Sequence, residues 1–204
     1  MISSGDAAAL ADCIAGGGVA VFPADTVYGL ACSPQDPDAL RRLYALKGRA
    51  ERKPSAVMWF DAGVALAALP ELGPRTRGVL ERLLPGPVTV LLANPRRRFG
   101  PACGADPLTL GVRVPALDPP LAALAAMPLP VLQSSANASG GPDARRLDDV
   151  PARIRASADL VLDGGPRPGV ASTVVDLRQF EATGDWRVVR EGALPRDVLA
   201  GAVR

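Results

Sequence analysis

Lys47, Gly48 and Arg49 set two cations two residues apart around a glycine that lets backbone come close. Far along the chain, Ser134-Ser135-Ala136-Asn137 supplies hydroxyls and an amide. Those residue types suit a polyphosphate and a nucleoside. Ammonium and guanidinium donors grip phosphate oxygens through charge-assisted hydrogen bonds worth about 1.5–3 kcal/mol each. The chain has no Walker-type phosphate loop. Each block also has a plain structural reading. Lys-Gly-Arg is what a helix C-cap requires, with glycine left-handed and basic residues favoured by the helix dipole. A lone Ser-x-Asn is equally a turn or a cap.

Thr109-Leu110-Gly111-Val112-Arg113 alternates as a strand, with Thr109, Gly111 and Arg113 on one face. An arginine on a central strand is costly to bury unpaired. A ligand carboxylate or a structural salt bridge satisfies it equally well. Asp25 and Thr26 follow an apolar run, Val19–Phe22, and so stand at a strand end, where open α/β sheets gather ligands. The Thr26 hydroxyl can donate and accept; packing or capping in a strand–turn–strand is its plain alternative. Arg96-Arg97-Arg98 reads as a solvated loop with a weak potential for RNA contact.

These residues need a framework. Ser3 to Ala15 reads as an amphipathic helix with a Ser3/Asp6 capping box. Asp36-Pro37 starts a helix that carries Leu40, Leu43, Tyr44 and Lys47 on one face and stops at Gly48. Further helices are expected at Ala62–Leu69, Arg75–Leu84, Asp118 through Met127, Leu147–Ala156 and Pro195–Ala200. Strands are expected at Val19–Phe22, Ser55–Phe60, Val88–Ala93, Thr109–Val114, Pro130–Gln133, Leu160–Leu162, Ser172–Leu177 and Trp186–Arg190. The irregular mixture predicts one α/β domain over residues 1–204, with a twisted, mixed open sheet flanked by helices.

Composition removes several chemistries. The chain has no histidine, which excludes a Ser-His-Asp triad, a Cys-His dyad and His-ligated zinc. Its three cysteines are scattered, without a CxxC pair, so neither a disulfide framework nor a zinc site is expected and a reducing cytoplasm fits. Lys and Arg number 23 against 21 Asp and Glu, a balance that does not itself argue for nucleic acid. The N-terminus lacks a basic region and no apolar run approaches about 18 residues, so neither a signal peptide nor a membrane span is expected.

The order of these blocks resembles the YrdC/TsaC family, the L-threonylcarbamoyladenylate synthases. The resemblance runs from about Gly16 to Gly192. It rests on Pro23–Leu30, close to the family's PT(D/E)TVYGL, on Lys47-Gly48-Arg49, on Thr109–Pro115, on Ser134–Asn137 and on Gly169–Asp176, with Arg190 beyond. No single motif decides the match; five in order are jointly specific. The resemblance implies a YrdC-like fold and an enzyme condensing L-threonine, bicarbonate and ATP to threonylcarbamoyl-AMP and pyrophosphate, for tRNA modification. It implies that Lys47 and Arg49 are catalytic on the phosphates. Lys53, Thr109, Ser135, Asn137 and Arg190 join them on ATP, and Thr26, Arg113 and Ser172 hold threonine. Mg²⁺ would travel on the phosphates rather than in a protein site. The implied partner is a tRNA-modifying threonylcarbamoyl transferase complex, in the cytoplasm. The chain reads as the short form, without the extra C-terminal domain of some relatives.

Four positions depart from the family pattern: Ala24 replaces a threonine, Ala50 a proline, Lys53-Pro54 an Asn-Pro, and Met58 a histidine that some members turn toward the amino acid. Two rival readings differ in kind. One is an RNA-binding or ribosome-maturation module; the other is a carbamoyl-adenylating enzyme like the related domain of hydrogenase-maturation proteins.

Overall fold

Local sequence signals start the helices where expected. The computed structural model describes residues 1–50 and 52–204. Helix α1 (Ser4–Ala15) opens on the reciprocal Ser3/Asp6 capping box. Helix α2 (Pro37–Lys47) opens on Asp36, whose carboxylate accepts from the Asp38 and Ala39 N–H groups, and closes on Gly48 at φ 64°. That left-handed φ is where glycine costs least. Helices α3 (Ala62–Ala67) and α4 (Pro74–Leu83) follow the predicted apolar stripes within one to two residues.

Nine strands form one sheet in the order β7-β1-β2-β6-β3-β5-β4-β8-β9. They are β1 (Ala20–Pro23), β2 (Tyr28–Cys32), β3 (Ala56–Met58), β4 (Val88–Ala93), β5 (Thr109–Arg113), β6 (Val131–Ser135), β7 (Leu160–Val161), β8 (Thr173–Asp176) and β9 (Arg187–Arg190). The pairs β1/β7, β3/β5 and β4/β8 are parallel and the rest antiparallel, so the sheet is mixed as predicted.

Five expectations need correction. The segment after Asp118 is a 3₁₀ helix (Pro119–Ala126). Its turns close on i+3 bonds, Leu121 N–H to Asp118 O and Met127 N–H to Leu124 O. The Asp118 carboxylate does not cap it but receives Arg167. The single helix expected over Leu147–Ala156 breaks at Pro151, leaving a 3₁₀ turn (Leu147–Asp149) and helix α5 (Ala152–Ser157). Strand β6 runs on through Ser135, two residues past its predicted end, because Gly29 and Leu30 of β2 pair with Ser135 and Ser134. Helix α6 (Phe180–Thr183) was not predicted, and α7 (Arg196–Val203) begins one residue later and ends three later than expected.

Side-chain alternation divides the sheet into two faces. Val57, Val90, Leu92, Leu110, Val112 and Leu132 belong to the larger core with α2, α3 and α4. On the other face, α1 and the 3₁₀ segment cover β1 and β2 through Leu10, Ile14, Leu121 and Leu124 against Phe22, Ala31 and Met58. Each of the larger side chains among these contributes about 1.5–3 kcal/mol. Over β3, β5, β4 and β8 the same face carries Ala56, Gly111, Thr89 and Val174 and bounds a cavity. Among the described residues no helix is long and apolar enough to cross a membrane.

A glycine fixes one wall of that cavity. A Cβ on Gly192 would lie 2.4 Å from the Ala171 carbonyl oxygen and 2.5 Å from the Thr173 nitrogen. The Ala193 N–H donates to Ala171 O across the same contact. Backbone cannot yield as a side-chain tip does. Gly192→Ala is expected to cost about 1–3 kcal/mol and to lower the melting temperature by about 2–4 °C per kcal/mol. Thermal unfolding checks this; an unchanged melting temperature would mean that the loop is free to move.

Candidate active site

The cavity has a volume of about 330 Å³ and is lined by residues from all five of the predicted blocks, with Arg190 beyond them. Arg113 projects from the end of β5 with its side chain almost fully buried, as is that of its partner Asp25. Its Nη2 donates to the Asp25 carboxylate and, at 2.6 Å, to Thr26 Oγ1. Its Nη1 faces Gln133 Oε1 at 3.4 Å. Its buried Nε has no partner among the described residues. The structural ion pair is therefore present, made by one edge of the guanidinium, and Nε is left without a partner among the described residues. Asp25 is itself fixed, since its second oxygen accepts from the Ala116 N–H at 3.2 Å.

Arg49 and Arg190 line the same cavity. Arg49 donates from Nη2 to Pro54 O at 2.7 Å, lies 5.9 Å from the Tyr44 ring centre, and keeps a buried Nε without a partner among the described residues. Arg190 donates to Ser172 O at 2.7 Å and faces Ser172 Oγ at 3.4 Å. Ser172 Oγ also bonds Thr89 Oγ1 at 2.8 Å. Burial lowers the Arg190 pKa; Asp143 opposes that shift, and the Arg113 charge adds to it. Thr109 lines the cavity with its hydroxyl already donating to Asp106 at 2.6 Å and accepting from Arg178 at 3.1 Å.

Lys47 is the residue whose setting differs most from expectation. It is 3% exposed and stands behind the cavity wall rather than in it. Its Nζ donates to Ser135 O (2.5 Å), Ser135 Oγ (3.1 Å), Asn137 O (3.1 Å) and Asn137 Oδ1 (2.5 Å). Four acceptors compete for three protons. The Lys47 carbonyl takes the Ser139 N–H at 2.9 Å, so helix end and turn are stapled in both directions. Asn137 Nδ2 then holds Gly141 O at 2.5 Å. Burial pushes the Lys47 ammonium down to about 8, with Arg49 repelling it and Asp143 opposing.

The structure thus brings Arg49, Thr109, Arg113, Ser135, Ser172 and Arg190 to one cavity. Thr26 meets it through Arg113, and Lys47 and Asn137 meet it through Ser135. Lys53 is not brought there. Its side chain is exposed, and its backbone carbonyl accepts from the Tyr44 hydroxyl at 2.9 Å. Met58 is fully buried in the second core. Sequence reasoning missed Asp25 as the partner of Arg113, Thr89 as the partner of Ser172, and Gln133. An acid at a strand end beside a buried arginine was the available signal for Asp25; Thr89 and Gln133 carried none.

Three arginines on one small cavity, with six hydroxyl-bearing residues in its lining, make a site suited to a polyanion that also bears polar groups. Among the described residues no group of three or more His, Cys, Asp or Glu side chains could hold a metal ion.

The fold and sequence have relatives. A family model, Sua5_yciO_yrdC, described as "telomere recombination", matches residues 12–192. A threonylcarbamoyl-AMP synthase of Pyrococcus abyssi is 30% identical over 188 residues, which cover 90% of this chain and 53% of that protein. One of Nitrosococcus oceani is 37% identical over 160 residues, covering 76% of this chain and 85% of that protein. The crystal structure of P. abyssi Sua5 complexed with L-threonine matches with a TM-score of 0.82 and 27% identity, over 99% of this chain and 58% of that one. The chain spans about half the length of the P. abyssi and Bacillus subtilis relatives.

Proposed function

This chain belongs to the Sua5–YciO–YrdC family, and from that premise we propose that it is an L-threonylcarbamoyl-AMP synthase. The observation that carries the proposal is the convergence of Arg49, Arg113 and Arg190 on one cavity with Ser135, Ser172 and Thr109. Two of those arginines keep a buried Nε without a partner among the described residues, and a buried donor left unpaired costs about 1–3 kcal/mol or more. An anionic ligand removes that cost.

In this reading L-threonine enters with its carboxylate on Arg113. Its neutral amine combines with bicarbonate to give the N-carboxylate and water. A carbamate oxygen then forms the new bond to the α-phosphorus of ATP, and the bond to pyrophosphate breaks. No protein nucleophile is needed, which suits a chain without histidine. The protein contributes positioning and fixed positive charge where negative charge collects. Arg49 and Arg190 take the phosphates, and Ser135 and Thr109 orient the nucleotide. Lys47 holds the Ser135–Asn137 turn in place and adds its charge from behind. Mg²⁺ accompanies the triphosphate, since it binds oxygen ligands and retains several waters. The mixed anhydride passes to a tRNA-modifying threonylcarbamoyl transferase complex.

The test is pyrophosphate release from ATP with bicarbonate, with and without L-threonine. Threonine-dependent release with a product of the mass of threonylcarbamoyl-AMP is the expected result. No release from folded protein supplied with magnesium overturns the proposal, and carbamoyl-phosphate-dependent release without threonine would point to carbamoyl adenylation.

A further inference from the structure

Gln133 is buried in the cavity floor, on β6 beside Ala56 of β3 and Ala31 of β2. Its neighbours in that floor are small, and it is the only carboxamide among the residues that line the cavity. Its orientation is chemically fixed. Arg113 Nη1 faces its oxygen at 3.4 Å. A flipped amide would set NH₂ against a guanidinium N–H, donor against donor. Arg113 is in turn fixed by Asp25 and Thr26. Orientation therefore passes from Asp25 through Arg113 to Gln133, and the Gln133 NH₂ must point away from the guanidinium.

It points over β2. A Cβ on Gly29 would lie 2.8 Å from Gln133 Nε2, so the glycine leaves the amide its place. The neighbouring Arg113 Nε is buried without a partner among the described residues, and Gln133 itself lines the cavity. Two donor groups, one charged and one neutral, are thus held by one network on residues that line the cavity. An unpaired buried donor is costly, so Arg113 Nε calls for a ligand oxygen, which the Gln133 NH₂ on the same cavity can share.

We propose that Gln133 is a binding and specificity-determining residue for the amino-acid substrate, donating from Nε2 to the substrate carboxylate that Arg113 also holds. This deepens the reading given under Proposed function and rests on it. A carboxylate shared between Arg113 and Gln133 is fixed in angle as well as in place, since the two donors approach from different strands. A glutamate at this position would keep the shape and reverse the effect: it would pair with Arg113 and repel the incoming carboxylate.

The experiment is calorimetric titration of L-threonine into the full chain carrying a non-hydrolysable ATP analogue, for wild type, Gln133→Met and Gln133→Glu. Binding of the analogue alone serves as the measure of an intact fold. Gln133→Met is expected to weaken threonine about tenfold or more, the loss of one hydrogen bond to a charged group. Gln133→Glu is expected to weaken it further, with affinity for the analogue unchanged in both. Threonine affinity unchanged in a folded variant overturns the inference and leaves the synthase reading standing. Wild-type protein that takes the analogue but never threonine overturns the synthase reading, and the inference with it. The two variants change volume and charge differently, so a packing defect in one leaves the other decisive.

Discussion

Arg113→Ala is expected to weaken L-threonine binding by about a hundredfold or more, the loss of a buried charged anchor, and to destabilise the fold by about 3–5 kcal/mol. The two effects have different origins, and a second substitution separates them. In the wild type, Asp25 is almost as buried as Arg113 and spends one oxygen on it. Removing the guanidinium leaves that carboxylate charged, desolvated and held only by the Ala116 N–H. Asp25→Asn in the Arg113→Ala background removes the stranded charge, so most of the stability should return while threonine binding does not. Arg113→Lys tests shape against charge. A lysine reaches one partner at a time, whereas the guanidinium serves Asp25, Thr26 and Gln133 together. It should preserve more stability than alanine and still lose most threonine affinity. Thermal melts and threonine titrations on the four proteins read both quantities. Threonine affinity unchanged in Arg113→Ala would remove this residue from substrate recognition.

The sequence made the cations legible and left their partners hidden. Asp36-Pro37 and Gly48 are local signals, so the bounds of α2 and the place of Lys47 at its end follow from neighbours in the chain. The alternation of Thr109, Gly111 and Arg113 likewise predicts a shared face, and these residues do line one cavity. What pairs with Arg113 is set by sheet order. Asp25 lies 88 residues away and reaches it because β2 pairs with β6, β6 with β3 and β3 with β5. Gln133 was invisible for the same reason. On β6 it looks like one polar residue in a strand, and only the register beside Ala56 and Ala31 puts it in the floor. The 3₁₀ segment after Asp118 shows the opposite failure. Its start signal is intact, but Arg167 draws the Asp118 carboxylate away, and a local rule yields to a distant ion pair.

Lys47→Met is expected to lower kcat by about 10²–10³-fold, the usual cost of removing one preorganised charged donor, and to destabilise the fold by about 1–3 kcal/mol. Position alone suggests a residue replaceable without structural cost, since helix ends are normally solvated. Burial overturns that expectation. Without the ammonium the carbonyls of Ser135 and Asn137 lose their donor, and the turn that carries both side chains loses its staple. Methionine fills the stem and relieves the burial of a charge, which holds the stability loss below that of a broken ion pair. The pH dependence is the sharper signature. The Lys47 pKa is pushed down to about 8 in the folded protein, against about 10.4 in an unfolded chain. Between these values the unfolded chain binds more protons, so stability rises with pH through this window, and Lys47 opposes folding most fully below about 8. Nucleotide affinity should run the other way, falling as pH rises through about 8, because the positive charge behind Ser135 is lost. A shared window with opposite slopes is difficult to obtain from any surface group. Lys47→Arg, which does not titrate there, should flatten both curves. ATP-analogue titrations and melts from pH 7 to pH 10 measure them, and a wild-type affinity flat across that range would place the charge of Lys47 outside nucleotide binding.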